Sequence, residues 1–201
     1  MSVWRRQRRN FLMFSIIVRR TVAAIVTVLV MMAIAACVGE YPFSRRYDCQ
    51  FWFKYETHST SIVFSAVRSP GAYVFVTAKG DGNSTPRHVY VKSNDGMTPA
   101  EDNIIRNDDE NYRLMLLGRS NETGQIVGCT NFNGMVAYDR SCPNCERLQA
   151  LEWTGNRQQV HCDGCGRTYM LDTGGIIAGD AGDALLRYNC QFGGAWLTVT
   201  N

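Results

Sequence analysis

Two Cys-x-x-Cys pairs, Cys142-Pro143-Asn144-Cys145 and Cys162-Asp163-Gly164-Cys165, stand sixteen residues apart and constrain this chain more than any other feature. Each pair can close a tight turn in which both sulfurs face one point. Two such knuckles joined by a hairpin supply a closed tetrahedral set of four thiolates. Pro143 inside the first pair and Gly166 just after the second suit that turn geometry. Whatever fold the chain takes must bring these two loops together.

Tetrahedral thiolate suits zinc and iron alike, so ligand type leaves the metal open. The CPxC and CxxCG forms look like zinc-ribbon and rubredoxin knuckles, which favours a structural zinc and keeps a single iron in view. Disulfides are the plain alternative in an exported chain. The two-residue separation within each pair and the turn residues around it argue against them. A thioredoxin-type redox role for Cys142 and Cys145 needs a βαβ setting that a strand-rich chain does not offer.

Residues 1–20 carry six Arg (5, 6, 8, 9, 19 and 20) and no acid, and an apolar run follows from Val22 to Ala36. A positive flank, an apolar stretch and small residues before a cysteine make up a targeting leader. Ile34-Ala35-Ala36-Cys37 resembles the lipobox of bacterial lipoproteins, which implies cleavage before Cys37 and a lipid anchor on its sulfur. A second apolar stretch, Phe11 to Val18, leaves Met13 as another start. Thr21 to Val38 is 18 residues without charge, long enough to cross a bilayer, so an uncleaved anchor is the competing reading, with a buried soluble helix as a third. Either membrane reading puts residues 38–201 outside the cytoplasm, in the cell envelope, because the Arg-rich flank stays inside. The expected organisation is a leader over 1–36, an anchor and linker over 37–44, and one β domain over 45–201 whose metal-binding part spans 124–201.

The formal charge of +3 belongs to the leader, which holds 6 of the 21 basic residues and none of the 18 acids, leaving 15 − 18 = −3 for the remainder. No Arg/Lys cluster remains there to track a phosphate backbone, which argues against nucleic acid as a partner. At 201 residues and 45% hydrophobic content the chain has enough apolar side chains for an ordinary core.

Strand signals dominate beyond the leader. Ala72–Ala78 and His88–Lys92 are aromatic and β-branched runs on either side of a Gly/Asn/Ser/Pro turn at 80–86. Cys49–Tyr55 alternates weakly as a strand. Ser59–Val67 reads as a strand or short helix, Pro99–Asn107 as a polar connection, and Tyr112–Leu117 as a short apolar element. Gln125–Thr130, a turn at Asn133-Gly134 and Met135–Asp139 form a hairpin that leads into the first knuckle. Gln158–His161 enters the second knuckle and Arg167–Leu171 leaves it. Ala184–Cys190 and Ala195–Thr200 pair around Gly193-Gly194. No long amphipathic helix and no internal repeat is present in this part. The fold class expected is mainly β, an antiparallel sandwich with two knuckle loops behind a hydrophobic leader helix.

The run Cys162-Asp163-Gly164-Cys165-Gly166-Arg167-Thr168-Tyr169-Met170-Leu171-Asp172-Thr173-Gly174 resembles the second half of the Rieske iron-sulfur domain, whose pattern is C-x-x-H, an aromatic four residues on, then Leu, Thr and Gly. Gly134 to Cys142 looks like the strand that delivers the first Rieske cysteine, and Leu185 to Asn201 like the closing strands. A Rieske site takes two Cys on one iron and two His on the other. Here Cys145 and Cys165 stand where that family has histidines, and the first knuckle is one residue longer. The resemblance implies a Rieske-like β fold and offers a [2Fe-2S] cluster on Cys142, Cys145, Cys162 and Cys165 as the alternative to zinc.

His161, beside Cys162, points away from the metal by strand alternation. His58 and His88 are isolated and read as packing or surface residues. Three histidines in all, with no 2-His-1-carboxylate cluster, argue against an oxygenase iron. Cys49, Cys129 and Cys190 are open to one disulfide or to buried free thiols. Asp108-Asp109-Glu110 reads as a solvated run. No Ser/His/Asp set or carboxylate pair points to hydrolysis or transfer. Two functions follow: a non-enzymatic, membrane-anchored protein whose four cysteines hold a structural zinc, or a tethered [2Fe-2S] electron carrier. The partners implied are the membrane and a redox or assembly protein.

Overall fold

A strand buried on both faces must lie between two layers, and two strands here have that character. Tyr73–Lys79 and Gln125–Thr130 are buried almost without interruption, and their alternate side chains enter two different cores. A computed structural model describes residues 43–79, 87–105 and 115–201, which fall in the second of two compact units of the chain, Pro42–Asn201. Among them thirteen strands and one five-residue helix occur in this order: β1 (Cys49–Lys54), α1 (Ile62–Ala66), β2 (Tyr73–Lys79), β3 (Arg87–Ser93), β4 (Glu101–Ile105), β5 (Leu116–Leu117), β6 (Gln125–Thr130), β7 (Gly134–Asp139), β8 (Glu152–Trp153), β9 (Gln159–His161), β10 (Thr168–Met170), β11 (Ile176–Ala178), β12 (Arg187–Gly193) and β13 (Trp196–Thr200).

Nine strands form one sheet in the order β4-β3-β2-β6-β7-β12-β13-β1-β5, and β11-β10-β9-β8 form a second. Every pairing is antiparallel. The large sheet closes over one core. Phe51 and Phe53 of β1 and Leu197 and Val199 of β13 share it with Val74 and Val76 of β2 and Val89 and Val91 of β3. Phe64 of α1 plugs one end of this core, stacked 5.5 Å from Phe53. On the other side of β2, β6 and β7, Tyr73, Phe75, Ile126, Val136 and Tyr138 meet Val160 and Tyr169 of the small sheet and Leu151 and Leu171 just outside its strands. Cys142 and Cys162 belong to this second core, so the two Cys-x-x-Cys knuckles are packed against the large sheet.

The mainly β, antiparallel expectation agrees with this architecture. Pro99–Asn107 does not: it contains strand β4, paired with β3 from Glu101↔Val91 to Ile105↔Arg87. Its polar composition hid it because an edge strand has few apolar neighbours. Only Ile105 is buried, while Glu101 accepts from the α1 backbone at Ile62 (2.8 Å) and Asp102 pairs with His88 (2.9 Å). Ser59–Val67 resolves into helix α1, capped by Ser61, whose hydroxyl accepts from the Val63 N–H at 3.4 Å. The last hairpin begins at Arg187 rather than Ala184, and β8 and β11 are strands too short to leave a periodic signal. The leader helix, Cys37, the 80–86 turn, Asp108-Asp109-Glu110 and the first part of 112–117 lie outside the described residues. No helix among those described is long and apolar enough to cross a membrane.

Candidate metal centre

Strand β7 carries the chain from the large sheet into the first knuckle. Past Asp139 the strands diverge, and a short ladder forms instead: Leu151 N–H to the Arg140 carbonyl (2.8 Å) and Cys142 N–H to the Gln149 carbonyl (2.8 Å), with Ser141 bridging Ala150 between them. The knuckle Cys142–Cys145 is the tip of that ladder. The second knuckle tips the β9–β10 hairpin, where the Gly166 N–H donates to Cys162 O (2.8 Å) and the Cys162 N–H to Arg167 O (2.9 Å). Gly166 takes φ +70°, the left-handed conformation this turn needs.

The four sulfurs of Cys142, Cys145, Cys162 and Cys165 all lie within 4.8 Å of one another. Cys142 Sγ is 3.6 Å from Cys165 Sγ, and Cys145 Sγ is 3.6 Å from Cys162 Sγ. Cys142 and Cys162 are fully buried, whereas Cys145 and Cys165 are partly exposed. This is a four-cysteine group close enough to bind a metal ion. Four thiolates each about 2.3 Å from a common ion stand about 3.8 Å apart in a tetrahedron, which this grouping approaches.

Electrostatics around the sulfurs is uneven. Burial is the largest influence on Cys165 and by itself raises its pKa. Hydrogen bonds from the Arg167 side chain and backbone, with contacts from Cys162 and Cys142, outweigh burial and bring the thiol down to about 6. Burial pushes Cys162 far above the ordinary thiol range and raises Cys145 as well. A bound divalent cation would hold all four as thiolates, for a net charge of about −2 at the centre.

Residues around the four cysteines position the knuckles. The Arg119 guanidinium donates from Nη1 to the carbonyls of Cys142 (3.3 Å) and Cys145 (3.2 Å) and from Nη2 to that of Glu146 (2.7 Å). Asp139, with no exposed surface, accepts from the backbone N–H groups of Arg119 (2.7 Å) and Ser141 (2.7 Å) and from Tyr188 Oη (2.9 Å). Asn144 clips a strap, Gly179–Ala184, to the first knuckle: its amide donates to Asp183 O (2.7 Å) and accepts from the Asp183 N–H (2.8 Å). Arg167 holds the same strap from the second knuckle through Asp180 O (2.9 Å) and Ala181 O (3.1 Å). Buried Tyr169 sits between, its hydroxyl 3.3 Å from Cys142 Sγ and accepting from Asn144 Nδ2 at 2.9 Å.

The other candidates are apart from this group. His161 faces Thr168 Oγ1 (3.1 Å) and Asp163 (3.7 Å), His88 pairs with Asp102, and His58 stacks on Phe53 at 4.5 Å. Cys49, Cys129 and Cys190 are buried free thiols; Cys49 accepts from Gln125 Nε2 at 2.7 Å. Arg119, Asp139 and Tyr188 carry no motif. Their spacing from the cysteines has no pattern, and the one available signal was an acid closing a strand directly before a knuckle. Comparison of the chain with known protein families, curated proteins and solved structures finds no match.

Proposed function

We propose that this chain is a membrane-anchored, extracytoplasmic protein in which Cys142, Cys145, Cys162 and Cys165 hold one structural zinc at the edge of a Rieske-like β domain. The observation that carries the zinc reading is the mutual approach of the four sulfurs within 4.8 Å, a spacing suited to one ion. Buried Cys142 and Cys162 are part of the core under the small sheet, so the ion would act by fixing that sheet on the larger one. Strand β7 running into Cys142, and the closing hairpin β12–β13, support the Rieske-like reading of the scaffold. The Arg-rich flank, the apolar run and Cys37 support export and a lipid anchor.

The alternative, a [2Fe-2S] electron carrier on the same cysteines, draws on the Rieske-like run from Cys162 to Gly174. Anaerobic purification followed by metal analysis and a visible spectrum separates the two. A colourless protein with one zinc supports the first. A red-brown protein with two irons and labile sulfide sinks it. For the anchor, mass spectrometry of the membrane-extracted protein should find a diacylglyceryl-modified Cys37 as the first residue; an intact leader overturns that part.

A further inference from the structure

The knuckles meet crosswise, and each 3.6 Å contact joins one buried sulfur to one partly exposed sulfur: Cys142 to Cys165, and Cys162 to Cys145. We infer that the centre is also an oxidation site, at which a disulfide reagent converts the four thiolates into two crosswise disulfides, Cys142–Cys165 and Cys145–Cys162, and expels the ion. The release of the ion rests on the one-ion reading above; the pairing of the sulfurs does not.

The partly exposed thiolate, Cys165 or Cys145, is the one a disulfide R–S–S–R can reach. It attacks one sulfur of the reagent, forms a mixed disulfide and expels R–S⁻. The buried partner then attacks the protein sulfur of that mixed disulfide and expels the second R–S⁻. Per pair, two cysteine thiolates lose two electrons to the reagent, one S–S bond forms, and one breaks. Two pairs consume two equivalents of R–S–S–R, release four R–S⁻ and leave the divalent ion without ligands. A disulfide of about 2.05 Å requires each crosswise pair to close by roughly 1.5 Å, within reach of side-chain rotation at the tips of two hairpins.

Two physical reasons favour crosswise over within-knuckle bonds. The crosswise bonds keep the backbone turn of the second knuckle, Gly166 N–H to Cys162 O, as it is, and tie one hairpin to the other as the ion does. They also close loops of about twenty residues rather than four, which constrains the unfolded chain more. The oxidised protein would thus keep the small sheet in place without metal. An exported chain meets disulfide-forming conditions that a cytosolic one does not.

Trypsin makes the test direct, because Arg140, Arg147, Arg157 and Arg167 put each knuckle on its own peptide, Ser141–Arg147 and Gln158–Arg167. The full-length, detergent-purified protein is assayed for zinc, incubated with oxidised glutathione while a chromogenic chelator reports released zinc, blocked with iodoacetamide and digested. The expected result is release of the zinc in step with one covalent species containing both peptides and lacking four hydrogens. Two separate peptides, each with an internal disulfide, would overturn the inference, as would thiols that stay reduced. Double variants refine the pairing: Cys145→Ser with Cys162→Ser leaves Cys142 and Cys165, which should cross-link roughly tenfold faster than the Cys142 and Cys162 left by Cys145→Ser with Cys165→Ser. Equal rates overturn the crosswise assignment. Protein that carries no zinc before oxidation defeats the proposed function, while its peptide map still decides the pairing.

Discussion

Arg119 Nη1 donates to the carbonyl of Cys145 at 3.2 Å, and through this contact a loop outside both knuckles fixes the backbone of the first. The same guanidinium holds Cys142 O and Glu146 O, so one side chain satisfies three carbonyls of a turn that cannot pair them internally. It also brings a positive charge beside a thiolate centre. Arg119→Ala should therefore weaken metal binding roughly 10- to 100-fold, as loss of a group that orients ligands does, with the fold retained. A competition titration against a chelator of known affinity measures this. Unchanged affinity would remove Arg119 from the centre.

Asp139 holds the Arg119 backbone in turn, and Tyr188 holds Asp139. Gly118, at φ +81°, lies so close that a Cβ there would stand 2.3 Å from Asp139 Oδ2 and 2.5 Å from Tyr188 Oη. Gly118→Ala should cost about 3 kcal/mol or more, combining left-handed strain with a clash against a buried carboxylate. Gly166→Ala, with nothing within 4 Å of its Cβ, should cost only the conformational strain of about 1–2 kcal/mol. Denaturant unfolding of the two variants checks the order, and equal losses would contradict the packing argument.

Tyr188→Phe removes the one side-chain donor to Asp139 among the described residues and leaves that fully buried carboxylate with two backbone donors. The expected loss is about 1–3 kcal/mol, read as a lower denaturant midpoint with an unchanged slope.

Removing the ion should affect the two sheets differently. β8, β9 and β10 are short and share their core with Cys142 and Cys162, whereas β2 and β6 also line the larger core on their other face and β3 lines that larger core alone. Chelator treatment under reducing conditions should raise amide exchange in β8–β10 by roughly tenfold or more and leave β2, β3 and β6 protected. Cys142→Ser or Cys165→Ser should reproduce that pattern and abolish metal binding. A uniform change across both sheets would mean that the ion does not act locally.

Asp172 ties the β6–β7 hairpin tip to the small sheet, accepting from Asn131 N–H (3.0 Å), Asn131 Nδ2 (2.8 Å) and Tyr73 Oη (2.8 Å). Burial raises its pKa, but these hydrogen bonds prevail and hold it below the ordinary carboxylate value. The folded pKa being the lower one, the stabilisation is complete above about pH 4 and is lost as pH falls through the folded value. The Asn131 amide resonance, followed downward from pH 6, should titrate below about pH 4. An inflection at or above the ordinary value would reverse the sign of this contribution.

Much of the fold was legible where side-chain pattern and burial coincide. β1 alternates because one face, with Cys49, Phe51 and Phe53, meets the core while Trp52 faces out. The turn at Asn133-Gly134 marked the β6–β7 hairpin, and Gly134 adopts φ +73° there. β4 was not legible, because an edge strand that uses Glu101 to hold a helix and Asp102 to pair a histidine has no apolar alternation to read. β8 and β11 are two and three residues long, and each packs a single side chain, Trp153 or Ile176, against the second core, too little to read as a pattern.

The sequence by itself determined the four-cysteine set. Two Cys-x-x-Cys turns sixteen residues apart carry their chemistry in local spacing, and local spacing survives without knowledge of the fold. Tertiary structure alone decided how close the sulfurs come, which of them are buried, and that Arg119 reaches the first knuckle from a loop 23 residues upstream of Cys142. Those are distances between segments far apart in the chain, fixed by the register of β6, β7 and β12 and by a buried carboxylate at the end of β7. No residue pattern encodes them until the sheets have formed.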